Sequence, residues 1–291
     1  MKKEWDLIWL GTLPTNQSNL MFNTIKKRPQ IFKRLVWVSL EVFKKMIEVV
    51  EKAEEKRLWW ETRWRNEKLS LENQILLALL YLRTYTTYLY LWVLFWICES
   101  NAQRKSIKIE NILIKSWLFS LPKKTLLQEE MDTIIVDATE VQRERPIRKQ
   151  KECYSGKKKT HTLKAQLIIN QDWRILRTAF AKGKIHDKAL YDQNAPLIHP
   201  NTKKKADSWY QWLQKTMKHV QIPYKSSKNK KLTKEQKAYN HTLSKQRIKV
   251  ENVIREVKIF DIFDETYRNK GRRFWLRFNL VCGIINHMKW F

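Results

Sequence analysis

Three acidic residues stand in contexts that would let them bind metal ions together. Asp137 ends an apolar run that begins at Thr133. Asp207 follows a lysine-rich segment, and Glu251 lies within the helical pattern of residues 247–255. A carboxylate at a strand end, a second in the middle of the chain and a third on a late helix can form a site for two hard cations, because Mg²⁺ takes oxygen ligands.

The chemistry open to such a site is phosphodiester cleavage. Two ions about 3.5–4 Å apart can activate a water molecule or a 3′-hydroxyl and stabilise the leaving oxygen, whereas His or Cys ligands would favour a different metal. The chain has 58 Lys and Arg against 29 Asp and Glu, a net charge of +29. A field of this sign attracts polyanions, either nucleic acid or an anionic membrane surface.

Each of the three acids also has a structural interpretation, and their spacing does not decide between the two. Asp137 could face water at a strand end. Asp207 precedes a serine, a pair that is typical of turns. Glu251 has Arg247 four residues before it and Arg255 four residues after it, so a ladder of surface ion pairs would account for it.

Several other classes of protein fit the sequence less well. The three cysteines form no CxxC pair, which disfavours a zinc knuckle or a disulfide framework and favours a reducing cytoplasm. The N-terminus has no signal-peptide pattern. Residues 75–98 are mostly apolar, but the polar stretch 83–87 divides them into pieces too short to span a bilayer. We predict two short buried helices there and no membrane partner. A basic membrane-associated protein remains a third alternative.

The first half of the chain has helical patterns. Ser39 predicts a helix to about residue 57, and the charge-rich residues 51–68 are interpreted as a basic linker. Three further helices are predicted at 70–83, at 86–94 and, from a capping box at Ser100 and Gln103, to about residue 115. This pattern fits a helix-turn-helix or a plain three-helix bundle equally well. Polar and basic side chains lie early on the third helix: Gln103, Arg104 and Lys105.

The second half changes to strand periodicity. Strands are predicted at 133–137, 161–170 and 173–181, joined as an antiparallel meander. A helix near 187–194 precedes a short strand at 202–206, although three consecutive lysines are poor strand formers. Residues 218–234 are predicted to be an exposed basic loop, Thr233 and Gln236 to cap a long helix, and a last helix to cover 272–287. The predicted fold class is α/β, a ribonuclease-H-like domain with a mixed sheet flanked by helices, preceded by an all-α region.

Five short motifs occur in order along this half. They are Val-Asp-Ala-Thr-Glu (136–140), Tyr-Ser-Gly-Lys-Lys-Lys-x-His-Thr-Leu-Lys (154–164), Gly-Lys-Ile-His-Asp (183–187), Ala-Asp-Ser-x-Tyr-Gln (206–211) and Arg-Ile-Lys-Val-Glu-Asn-x-Ile-Arg-x-x-Lys (247–258). With them the chain resembles the DDE transposases of small bacterial insertion sequences, of the insertion-sequence-five type. The catalytic resemblance covers about 132–288, and residues 68–118 resemble the helix-turn-helix module that precedes it.

The resemblance implies a function and a site. Asp137, Asp207 and Glu251 would be the catalytic triad that binds two Mg²⁺ ions, with Mn²⁺ as an alternative. The partners would be double-stranded DNA, as terminal inverted repeats and as target, and a second copy of the chain in a synaptic homodimer. The location would be the bacterial cytoplasm, at the nucleoid. The expected DNA contacts are Lys157, Lys158, Lys159, Arg247, Arg255, Lys258, Gln103, Arg104 and Lys105.

The same resemblance divides the chain into three parts. Residues 1–67 would be a helical leader with the basic linker, 68–120 the helix-turn-helix module and 130–290 the catalytic domain. The predicted activity is cleavage at the element ends followed by strand transfer. The alternative is a decayed, catalytically dead copy that at most binds DNA. His186 and Asp187 match a motif, but the residues themselves suggest no role beyond a turn or support for the ligands.

Tryptophan stands where the family pattern has glycine. The chain has 5 Gly and 14 Trp, and the positions concerned are Trp96, Trp209, Trp212 and Trp275, with Trp37, Trp117 and Trp173 similar. A bulky residue at a left-handed position is strained by about 1–2 kcal/mol. One base change converts the glycine codons GGA and GGG to TGA and TGG. The tryptophans could also pack on the surface or stack on bases in a nucleic-acid channel. We favour the hypothesis of a decaying gene, or of one in which TGA is read as Trp.

Overall fold

The computed structural model of the chain describes residues 20–60, 69–122, 132–192, 198–206, 219–226 and 231–290. The fold divides into two compact units. One comprises Met1–Tyr81 and Thr86–Ile112, and the other Leu82–Tyr85 and Leu113–Phe291.

Within the described residues, six helices precede the first strand. They are α1 (Leu20–Ile25), α2 (Pro29–Val36), α3 (Leu40–Trp60), α4 (Leu71–Thr84), α5 (Tyr88–Phe95) and α6 (Glu99–Lys115). An aromatic cluster joins the first three, since the ring of Phe43 lies 4.9 Å from that of Phe22 and 5.0 Å from that of Phe32. The backbone N–H of Phe22 donates to Oδ1 of Asn73 on α4 at 3.1 Å. Helices α1 and α2 were not predicted from the sequence.

The ends of these helices confirm some predictions and correct others. The hydroxyls of Ser39 and Ser70 accept hydrogen bonds from the N–H groups of Val42 and Asn73, as expected for N-caps. The capping box at Ser100 was wrong, because α6 begins at Glu99. Ser100 instead accepts two bonds from the guanidinium of Arg104. The basic linker at 51–68 was also wrong as far as Trp60, because α3 continues to that residue; residues 61–68 lie outside the described residues.

The apolar stretch 75–98 forms the two predicted helices, but only the first is buried. In α5, Leu91 and Phe95 are buried, whereas Tyr90 and Val93 are more than half exposed. In the part of the chain that the structure describes, no helix has both the length and the apolar character needed to cross a membrane.

The second unit is built on a six-stranded mixed sheet. Its strands are β1 (Thr133–Gln142), β2 (Tyr154–Ser155), β3 (Thr160–Asn170), β4 (Ile175–Lys182), β5 (Lys203–Ala206) and β6 (Val220–Gln221). β3 pairs antiparallel with β1, β2 and β4, which confirms the meander. β1, β5 and β6 run parallel to one another. An antiparallel meander followed by parallel strands is the ribonuclease-H-like order that was predicted.

Two strand predictions need correction. β1 continues five residues beyond Asp137, because its polar half pairs with β3 from Ala138–Gln166 to Gln142–Thr162. The segment 218–234 is not all loop, because Val220 and Gln221 form β6 on β5. In both cases the strand exists because it pairs with a neighbouring strand, and such pairing cannot be predicted from the periodicity of the sequence.

Four helices of this unit are among the described residues. They are α7 (Gln150–Cys153), α8 (Asp187–Asp192), α9 (Lys234–Lys258) and α10 (Phe274–Trp290), with a 3₁₀ turn at Asp261–Phe263. The capping box at Thr233 and Gln236 is present at the start of α9, as predicted. Gly283 lies on α10 where it must, because any side chain there would collide with the backbone of Phe119.

The two faces of the sheet differ. Ile134 and Val136 of β1 and Ala206 of β5 pack with Tyr191 of α8 in one apolar cluster. Successive strand residues point to opposite faces, so Asp137 lies on the other face. Helix α9 contacts β1, β3 and β5, and it shares a pocket with Thr133, whose side chain also lies on that other face.

Candidate active site

Asp137 is held in the middle of the sheet. It pairs with Leu167 of β3, and its half-buried carboxylate accepts a hydrogen bond from the N–H of Ala138 at 2.8 Å. The strand-end placement was therefore wrong, because the chain continues as strand on both sides. The backbone of β1 is fixed by β3 on one side and by β5 on the other, so the carboxylate has little freedom to move.

Asp207 lies outside the described residues. The parallel register of β1 and β5 is described up to the pair Val136 and Ala206. Ala206 is the residue before Asp207 in the chain.

Glu251 lies on α9, the helix that packs on the face of the sheet to which Asp137 points. Its side chain is 56% exposed, and Oε1 lies 3.6 Å from Nη2 of Arg247. Arg255 does not complete the ion-pair ladder, because its guanidinium donates to Oδ1 of Asn252 at 2.7 Å. Because the pair is long and its Glu251 end is mostly exposed, Arg247 holds the Glu251 carboxylate only weakly.

A groove of about 330 Å³ runs along the last turns of α9. Glu251, Arg255 and Lys258 line it, together with Ile254, Ile259 and Asp264. Nζ of Lys258 forms an ion pair with Asp264 at 3.2 Å. The structure therefore brings one predicted catalytic acid and two predicted phosphate contacts into a single groove.

The other predicted DNA contacts lie elsewhere. Three lysines, Lys157, Lys158 and Lys159, form the exposed turn between β2 and β3. Ser155 holds this turn, because its hydroxyl accepts from the N–H of Lys158 and its carbonyl from that of Lys159. In the other unit, Gln103 and Arg104 are exposed and Lys105 is half-buried on α6.

A buried ion network, which the sequence did not reveal, connects three of the five motifs. Nζ of Lys164 lies 2.7 Å from Oδ1 of Asp187 and 3.6 Å from Oε1 of Glu140. It also donates to the carbonyl of Ile185 at 2.8 Å, and Thr162 donates to Glu140 at 2.9 Å. This network accounts for Asp187, which binds Lys164 and so joins α8 to the sheet. His186 is exposed, and its carbonyl accepts from Leu190 in the first turn of α8.

Three tryptophans occupy left-handed backbone positions. The φ angles of Trp37, Trp96 and Trp173 are 57°, 51° and 69°. Trp37 and Trp96 follow the ends of α2 and α5, where glycine is the usual residue because it has no Cβ. Trp117 and Trp275 do not have a positive φ, so the strain argument does not apply to them. Trp209 and Trp212 lie outside the described residues.

The proposed site would bind metal ions through carboxylate oxygens. Among the described residues, no group of three or more His, Cys, Asp or Glu is placed to hold a metal ion, but the second acid of the predicted triad lies outside them. Asp137 on β1 and Glu251 on the exposed side of α9 are both hard oxygen donors, which is the ligand chemistry that Mg²⁺ and Mn²⁺ take.

Comparison with known proteins identifies the class. Residues 136–286 match the family of DDE superfamily endonucleases, and residues 67–118 match the helix-turn-helix of that superfamily. The chain therefore belongs to the DDE superfamily of endonucleases, whose members generally depend on divalent metal ions.

The chain is also similar to a protein of an insertion sequence over most of its length. Over 260 residues the chain is 42% identical to a protein of Microchaete diplosiphon described as "Probable transposase for insertion sequence element IS702". The match covers 88% of this chain and 93% of the relative. No solved structure matches the chain.

Proposed function

We propose that the protein is the transposase of an insertion sequence, which binds the inverted repeats at the element ends, cleaves there and transfers the freed strands. The observation that carries the proposal is the packing of α9 on the face of the sheet to which Asp137 points. The exposed side of this helix presents Glu251 in a groove with Arg255 and Lys258. The family match and the 42% identical relative support the same function.

In this proposal Asp137, Asp207 and Glu251 hold the divalent ions. When bound, such ions supply Lewis-acid activation of the attacking oxygen and neutralise charge on the leaving oxygen. Arg255 and Lys258 bind phosphates on either side of the cleaved bond, a role that positions DNA without reading its sequence.

The remaining DNA contacts are assigned by unit. Lys157, Lys158 and Lys159 bind the backbone from the exposed β2–β3 turn, where no described carboxylate is paired with Lys158 or Lys159. Residues 68–120 form the module that reads the inverted repeats, with Gln103, Arg104 and Lys105 near the N-terminus of the recognition helix α6. Residues 130–290 form the catalytic domain.

A metal-dependent cleavage assay on DNA that carries the element's inverted repeats tests this function. Asp137→Asn and Glu251→Gln should abolish cleavage while they leave DNA binding intact. Glu235→Gln is the matched control, because it makes the same change on an exposed glutamate at the other end of α9 and should cleave normally. Full cleavage by both site variants would overturn the proposed triad.

A second candidate is a decayed copy that binds the repeats without cutting them. The three left-handed tryptophans favour it, because each stores strain of about 1–2 kcal/mol at a position suited to glycine. Trp96→Gly should raise the free energy of unfolding by about 1 kcal/mol, since Trp96 is 68% exposed and little burial is lost. Trp275→Gly, in the first turn of α10, should lower it by about 1 kcal/mol, because Trp275 has no positive φ and its ring packs against that of Phe180.

The cleavage assay separates the two candidates. A wild-type protein that binds repeat DNA but never cleaves it with Mg²⁺ or Mn²⁺ present would favour the decayed copy. In that case restoring Gly at 96, 209 and 212 together should recover activity, if the exchanges are the cause. Sequencing the gene and the peptide at these positions shows whether TGA or TGG encodes each Trp.

A further inference from the structure

A second pocket lies on the same face of the sheet as Asp137, where the first half of α9 meets the start of β1 and β5. Its volume is about 270 Å³, several times the roughly 30 Å³ share of one water molecule in the liquid. Tyr239 and Leu243 form the apolar part of its lining, and the other lining residues are polar or basic. They include Lys203, Lys205, Gln171, Gln221, Thr242 and Gln246.

Two consecutive lysines of β5 show why this pocket is unusual. Lys204 is 2% exposed, and its ammonium donates to the carbonyls of Thr202 at 2.8 Å and Pro200 at 3.0 Å. Lys205 is 8% exposed and lines the pocket, yet it forms no side-chain hydrogen bond or ion pair with any described residue. Most of the Lys205 side chain is buried, and its ammonium is open to the pocket, so an anion there would supply the partner that the described residues do not.

The charges around Lys205 are all of one sign. The ammonium groups of Lys203 and Lys249 lie close enough to that of Lys205 to repel it. Lys249 is placed by its own hydrogen bond, from Nζ to the carbonyl of Gln171 at 2.8 Å. No described carboxylate lies within ion-pair distance of these three lysines. An anion in the pocket would therefore relieve the repulsion among them as well as the burial of Lys205.

The pocket is next to the proposed catalytic centre. Lys205 pairs with Ile135, which lies two residues before Asp137 on β1. Two strand residues span about 7 Å, and successive phosphates of B-DNA follow at about 3.4 Å along the axis of each strand. A DNA strand that runs along β1 and is cut at Asp137 would thus bring a phosphate about two nucleotides away to the level of Lys205.

We propose that Lys205, with Lys203 and Lys249, binds a backbone phosphate of the DNA strand about two nucleotides from the cleaved bond. This inference rests on the proposed function, because it assigns a further DNA subsite of the same centre. Gln171, Gln221, Thr242 and Gln246 line the pocket with groups that can donate to phosphate oxygens. A free phosphate ion offers the same chemistry and is the competing source.

The salt dependence of DNA binding tests the proposal. Each neutralised phosphate contributes about −0.9 to the slope of log K against log salt concentration. Measured without metal on an inverted-repeat duplex, Lys205→Met should make the slope less negative by about 0.9. Lys52→Gln, an exposed lysine of α3, removes the same charge as a control and should leave the slope unchanged. An unchanged slope in Lys205→Met would overturn the proposal.

Thermal unfolding in phosphate and in chloride at equal ionic strength distinguishes the two sources. If phosphate raises the Tm of the wild type but not of Lys205→Met, the pocket binds phosphate groups. The same result with an unchanged DNA slope would assign the pocket to free phosphate and overturn the DNA subsite. If Lys205→Met does not fold, Lys203→Gln at the exposed edge of the pocket makes the same test.

The test of the phosphate pocket can be distinguished from the test of the proposed catalytic function. Glu251→Gln should lose cleavage with an unchanged salt slope, whereas Lys205→Met should change the slope. A protein that never cleaves would therefore overturn the catalytic proposal while the slope still reports on the pocket.

Discussion

The two proposed metal ligands that the structure describes are held in opposite ways. Asp137 lies in the middle of a strand with neighbours on both sides, and a backbone N–H binds its carboxylate. Glu251 lies on the outer surface of a helix, 56% exposed, with one weak ion pair. A site built this way has one rigid side, which sets the position of the reaction, and one adaptable side, which can adjust when DNA enters the groove.

The largest expected effect is at the rigid side. Asp137→Asn should lower metal-dependent cleavage by about 10³-fold or more, the scale on which lost charge stabilisation reduces rates. Asp137→Glu should be almost as damaging, because the sheet cannot move to accommodate a longer side chain. Single-turnover cleavage rates measure both. Substantial activity in Asp137→Glu would contradict the rigid interpretation of β1.

The next effect concerns the ion network behind β1. Lys164→Met should lower the free energy of unfolding by about 3 kcal/mol, because it removes the cation between the partly buried carboxylates of Glu140 and Asp187 and leaves Glu140 only the hydroxyl of Thr162. Denaturant unfolding measures this change. The matched control is Lys188→Met, on the exposed surface of α8, which should change stability little. Equal stability of the two variants would show that the network does not hold β1.

A smaller effect is expected at the adaptable side. Glu251→Asp shortens the side chain but keeps the carboxylate, and the exposed helix surface leaves room for it to adjust. We expect cleavage to fall by about 10-fold, equivalent to about 1.4 kcal/mol, and to recover in part at higher Mg²⁺ concentration. A loss as large as that of Asp137→Glu would show that both sides of the site are equally rigid.

The smallest effect is expected for the ion pair of Glu251. Arg247→Gln should change the free energy of unfolding by less than about 1 kcal/mol, as is usual for exposed pairs. The same variant should weaken DNA binding if Arg247 contacts phosphate. Unfolding and binding titrations on one preparation separate these roles. A large loss of stability would mean that the partly buried guanidinium has a structural role.

Much of the fold could be predicted from local pattern. The meander strands, the caps at Ser39, Ser70 and Thr233, and the long helix after Thr233 follow from periodicity and capping chemistry, which act over a few residues. The capping box at Ser100 failed because the preceding turn, with Trp96 in a left-handed conformation, sets the start of α6. Two-residue β6 was missed because it exists only through pairing with β5.

The candidate site was predictable in part for the same reason. The types and order of Asp137, Asp207 and Glu251 were visible in the sequence, since ligand chemistry depends on residue type. The proximity of Glu251, Arg255 and Lys258 could be predicted, because residues three or four apart share a helix surface. The groove that they line could not. The network of Glu140, Lys164 and Asp187 was not, because its members are far apart in the chain.

By itself, the sequence determined the class of chemistry, the basic character and the order of the elements, because these depend on residue types and on local periodicity. The tertiary structure alone decided which face of the sheet carries Asp137, and that α9 covers this face. It also separated two adjacent lysines, since alternation along β5 sends Lys204 to backbone carbonyls and Lys205 to the pocket beneath α9. Strand register is a contact between distant segments, so no local pattern could have determined it.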